Sequence, residues 1–91
     1  MQYITRNMLN YLTFWVGAAA ESVSSFMVRV LYCGGIVREY TTDNATLCNC
    51  KVTLPLWIGC NELQNADTIQ LLSADDQNNP VLLTQTPVTI N

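Results

Sequence analysis

Apolar and polar residues alternate along most of this chain, and that alternation limits the fold more than any other feature. In the stretch SFMVRVLY (25–32), Phe26, Val28, Val30 and Tyr32 interleave with Met27, Arg29 and Leu31. A strand with one buried face reads this way, because successive side chains point to opposite sides of a sheet. The same pattern assigns strands to 36–42, 46–58, 68–73 and 81–90. Between them lie turn chemistries: Gly34-Gly35, Thr42-Asp43-Asn44, the loop 59–67 and the stretch ADDQNNP at 74–80. A Gly-Gly pair suits a two-residue hairpin turn, whose central residues need positive φ. That turn would set Tyr32 against Val37 and Val30 against Glu39.

The first segment fits two periods. Ile4, Met8, Leu12, Trp15 and Ala19 trace a helical stripe, while Met8, Leu12, Phe14 and Val16 share one side of a strand. The run Thr13-Phe14-Trp15-Val16 is rich in β-formers and favours a strand over about 9–17. Residues 1–8 then form an extended N-terminal arm. Short strands separated by turns at this length predict an all-β fold, a small antiparallel β-sandwich, immunoglobulin-like or jelly-roll-like. The chain of 91 residues is expected to be one domain, 1–91, without internal repeats or linkers.

The segment MLNYLTFWVGAAAES (8–22), with Arg6 ahead of it, has the composition of a secretory leader. Its apolar run is too short for a bilayer crossing, which takes about 20 residues, and Asn10 and Thr13 interrupt it. It is expected to belong to the body of the fold, with no membrane span.

Unbroken alternation through TLCNCKVTLPLWI (46–58) places Cys48, Cys50, Val52, Leu54, Leu56 and Ile58 on one wholly apolar side. Cys48 and Cys50 are therefore expected in the core as small hydrophobes. Residues i and i+2 of a strand lie about 6.5–7 Å apart, so these two are not expected to bond to each other. Cys33 and Cys60 are the candidates for a disulfide. Structural zinc favours paired cysteines two to four residues apart, or histidines; the spacings here are 15, 2 and 10, and there is no histidine. No metal or other cofactor is expected.

Lack of histidine also removes the commonest general base and any serine or cysteine triad. The acidic pair Asp75-Asp76 sits in turn sequence, where such residues cap backbone groups, and the glycine and distal glutamate of a calcium loop are missing. The triplet Asn44-Ala45-Thr46 is a formal glycosylation acceptor. The four cations Arg6, Arg29, Arg38 and Lys51 are scattered against seven acids, giving a net charge of −3. Binding to nucleic acid needs clustered cations, so direct nucleic-acid binding is not expected.

The polar surface is unusual: 14 Asn and Gln residues outnumber 11 charged ones, and Lys51 is the only lysine. Amides and hydroxyls lose less on burial against a neighbour than charges do. The expectation is a non-enzymatic structural protein packed among protein subunits of the same assembly, its own copies included. Its setting would be a virus or bacteriophage particle, as a capsid decoration, cement or minor virion protein. Contacts are expected from the arm (Met1, Tyr3, Ile4, Arg6), from Trp57, whose parity points outward, and from the uncharged edge of the last strand (Val81, Leu83, Gln85). The alternatives are an extracellular carbohydrate-binding or adhesive module using Trp57, and a small secreted disulfide-bonded domain.

Overall fold

Alternation of buried and exposed side chains produces two facing sheets. The computed structural model describes residues 2–5, 9–57 and 65–90. Its strands are β1 (Gln2–Ile4), β2 (Leu9–Trp15), β3 (Phe26–Tyr32), β4 (Gly35–Thr42), β5 (Thr46–Cys48), β6 (Lys51–Trp57), β7 (Thr68–Ser73) and β8 (Val81–Ile90), with one 3₁₀ turn at Ala18–Ser22. One sheet runs β1-β8-β7-β3-β4 and the other β2-β6-β5. All pairings are antiparallel except β1 with β8.

This is an all-β sandwich. Its strand order, β2-β6-β5 against β8-β7-β3-β4, is that of the immunoglobulin-like alternative. The marks of antibody domains are missing, since β3 carries no tryptophan and neither β2 nor β7 a cysteine. Cohesion comes instead from inward rows of aliphatic residues: Leu12 and Phe14 of β2, Val52, Leu54 and Leu56 of β6, Val28 and Val30 of β3, Ile69 and Leu71 of β7. Each such side chain stabilises the fold by about 1.5–3 kcal/mol through burial.

Asn10 shares the inward parity of β2 and is nearly buried. Its side-chain oxygen accepts from the Thr5 N–H (3.0 Å) and hydroxyl (2.9 Å), and its amide donates to the Thr5 carbonyl. These bonds tie the start of β2 to the end of β1, where Ile4 pairs with Ile90. One end of the sandwich therefore carries the starts of β2, β4 and β7. The other carries the connection 16–25 and the turns 49–50 and 74–80.

Several expectations are corrected. Residues 2–4 of the expected arm form an edge strand, and Ile4 is fully buried in the core, so it is not free for a partner. Met1 and Arg6 lie outside the described residues, as does Cys60. The β3–β4 turn is Cys33-Gly34, both at positive φ (+50 and +81), with Tyr32 against Gly35 and Val30 against Arg38. The partner of Tyr32 is thus two residues from the Val37 of the Gly34-Gly35 reading, and a bulge at Val37 reduces the offset to one at Val30.

The expected strand 46–58 is two strands. Asn49 (φ +52) and Cys50 (φ +64) form a tight turn, and Cys48 stands opposite Lys51. Two positive-φ residues match the right-handed twist of a hairpin. The turn reverses the parity ahead of it: Leu47 packs against the core while Thr46 and Cys48 face out. Cys48 and Cys50 are consequently exposed free cysteines, not core residues; Cys33 is likewise exposed and free. Parity beyond the turn holds, with Val52, Leu54 and Leu56 buried.

Candidate interaction surface

The outer face of β2-β6-β5 gathers the residues that the core rejects. Because Leu12 and Phe14 point inward, Tyr11, Thr13 and Trp15 must point outward, and Thr53, Pro55 and Trp57 do so on β6. Register then fixes who neighbours whom. Leu9 pairs with Trp57, Tyr11 with Pro55, Thr13 with Thr53 and Trp15 with Lys51; Thr46 and Cys48 of β5 extend the last two rows.

The result is a sheet face with aromatic rings toward both ends. Tyr11, Trp15 and Trp57 are 69, 67 and 65% exposed, the three most exposed of the large hydrophobic residues described. Strand rise places the Tyr11 row about 7 Å from the Trp57 row and the Trp15 row about 13 Å beyond it. Between them runs a rung of hydroxyls, with Thr13 Oγ1 3.4 Å from Thr53 Oγ1. Lys51 carries the one charge on β2, β5 and β6, and its ammonium sits 4.5 Å above the Trp15 ring. Such a stacked cation contributes about 0.5–1 kcal/mol at an exposed site, and it holds the indole in place.

The outer face of the larger sheet is built differently. Arg29 bonds and pairs with Glu39 at 3.0 Å, and Gln70 donates to Gln85 at 3.1 Å. These cross-strand pairs satisfy one another's polar groups along the β4-β3-β7-β8 direction. The smaller sheet instead presents exposed aromatic rings, of which Trp15 is stacked by its cross-strand neighbour Lys51.

Of the sequence-derived contact residues, Trp57 is exposed on the aromatic face as its parity required. Val81 is 54% exposed at the start of β8, and Gln85 is exposed but engaged with Gln70. Leu83 is corrected: a bulge between β7 and β8 leaves it unpaired, and its side chain packs against the core. Tyr3 pairs through its backbone with Thr89 in the edge strand. Tyr11 and Trp15 were not singled out from sequence. Their signal was present, since they occupy the parity opposite Leu12 and Phe14.

β1 covers only Val88–Ile90, so the outer edge of Val81–Pro87 is unpaired among the described residues. The Val88 N–H points toward β7, donating to Asp67 O at 3.1 Å. By alternation, Pro87 lacks its N–H on the open side, the usual place for proline in a strand. Asp75, in the turn 74–80, accepts from the Ser24 and Ser25 N–H groups; this is capping, as its turn position implied. Among the described residues no three His, Cys, Asp or Glu side chains cluster to hold a metal ion, and no helix is long and apolar enough to cross a membrane. No family model, curated protein or solved structure matches the chain.

Proposed function

We propose that this chain is a non-enzymatic structural subunit that docks onto other protein subunits, its own copies among them, through the aromatic face of β2-β6-β5. One observation carries the reading: Tyr11, Trp15 and Trp57 are each about two-thirds exposed on one sheet face whose one charge is already stacked on a ring. Large aromatic side chains exposed together on one face point to an interaction site, since tryptophan and tyrosine are among the side chains that dominate interface energetics. The amide-rich, charge-poor remainder of the surface supports close packing on several sides. A virus or bacteriophage particle, with this chain as capsid decoration, cement or minor virion protein, is the setting that best suits those demands.

A second reading rests on the threonine rung between the rings. Aromatic platforms interleaved with hydroxyls suit an uncharged glycan, which would make the chain a carbohydrate-binding module. Sedimentation of the full chain against a Tyr11→Ser, Trp57→Ser double variant, with affinity electrophoresis in neutral polysaccharide gels, separates the two. The structural reading expects the wild type to associate at tens of micromolar (about the weak end of specific binding) and the variant to stay monomeric with an unchanged circular-dichroism spectrum. A wild-type monomer retarded by polysaccharide overturns it.

A further inference from the structure

We propose that the Cys48-Asn49-Cys50 turn is a dithiol site, closed into a disulfide by exchange with a small-molecule disulfide. Both cysteines are exposed and free. Their separation is set by Asn49, whose φ of +52 is left-handed rather than extended. Helical backbone of either hand brings Cα atoms i and i+2 to about 5.5 Å, from its rise and radius. That lies at the commonest Cα spacing of disulfides, whereas an extended strand would hold the same residues at 6.5–7 Å, about the far limit.

The fold also removes the competitors among the described cysteines. Cys33 lies in the β3–β4 turn, at the end of the sandwich opposite the β5–β6 turn. Seven-residue strands separate the two ends, about 20 Å at strand rise, far beyond disulfide reach within one molecule. Among the described cysteines Cys33 thus stands alone, while Cys48 and Cys50 each have a neighbour.

The chemistry balances as two exchanges. One cysteine thiolate attacks a sulfur of the small disulfide RSSR, forming a protein–S–S–R bond and releasing RS⁻, which takes up a proton. The second thiolate attacks the protein sulfur of that mixed bond and expels the other RS⁻. Two protein thiols are oxidised and one RSSR is reduced to two RSH. Cys48 points to the outer face beside Lys51, itself beside Trp15, so the closed ring would fasten one corner of the aromatic surface.

Tryptic cleavage after Arg29, Arg38 and Lys51 separates the thiols cleanly: Cys33 falls in 30–38, Cys48 and Cys50 in 39–51, and Cys60 beyond. The folded chain is incubated with excess glutathione disulfide, quenched with acid, digested and weighed. The wild-type 39–51 peptide should be lighter by two hydrogens and free of glutathione, while 30–38 carries one glutathione. In Cys50→Ser, which alters an exposed side chain, the same peptide should keep glutathione on Cys48, because the resolving thiol is gone. Glutathione retained on wild-type 39–51 to the extent seen on 30–38, or 39–51 cross-linked to another peptide, overturns the site.

Discussion

Cys50 has φ +64, in the left-handed region that costs an L-residue roughly 1–2 kcal/mol per position, and its side chain is exposed, with no core burial to offset that cost. Cys50→Gly should therefore raise stability by up to about 1 kcal/mol, the relief being trimmed by glycine's greater freedom in the unfolded chain. A urea midpoint measured in reductant checks this; a clear drop would mean that the cysteine side chain is held by contacts the exposed turn does not suggest. Two strand positions away from Val52, Leu54 is a contrast: it is 1% exposed between the sheets, and Leu54→Ala should cost about 2–5 kcal/mol. The same alternating pattern made Leu54 legible and Cys50 misleading. Alternation reports a face only while the strand continues, and Cys-Asn-Cys-Lys holds no glycine or proline to announce the break. Asn49 was the available cue, being among the residues that most readily adopt positive φ.

The elements read best where strong apolar alternation is bounded by unmistakable turn chemistry. β7 and β8 stand at 68–73 and 81–90 as expected because ADDQNNP cannot continue a strand. β1 was missed as a strand: three residues are too few to show a period, and its pairing to β8 is a long-range choice that local sequence does not encode. The bulges at Val37 and Leu83 escaped for a related reason, since a bulge is set by how two strands twist together. The connection between β2 and β3 is pinned by backbone bonds, Val16 N–H to the Cys50 carbonyl and Ala74 N–H to the Ser25 carbonyl, both 2.8 Å, and Asp75 adds a carboxylate to them. Both Asp75 oxygens lie 3.0–3.1 Å from the Ser24 nitrogen, and one lies 2.7 Å from that of Ser25. Asp75→Ala should cost about 1–2 kcal/mol, as expected for charge-assisted bonds to backbone. Asp76→Ala, which loses a single local bond to the Asn78 N–H, should cost clearly less. Equal losses in thermal melts would show that Asp75 does not staple the connection. Arg29→Ala should change stability by less than about 1 kcal/mol, because its partner Glu39 is partly exposed and water screens the pair.

For the whole molecule, the aromatic face and the charge balance make a joint prediction about association. Copies of this chain each carry −3, so their long-range interaction is weakly repulsive, and the face proposed to meet a partner contributes only Lys51, already stacked on Trp15. Attraction must then come from removing ring surface from water, at roughly 25 cal/mol per Å² of apolar area, and salt does not screen that. Raising ionic strength from about 0.05 M to about 0.5 M shortens the Debye length several-fold and should leave self-association unchanged or slightly strengthened as the net repulsion fades. Lys51→Glu tests the same balance from within the face. It removes the stacked cation and takes each copy from −3 to −5, so association should weaken at low salt and recover in part at high salt. Sedimentation across this salt range reads both effects. Wild-type association that falls away steeply with salt would mean that ion pairs drive it, and the contact would have to be sought among Arg29, Arg38 and the acidic turns rather than on β2-β6-β5.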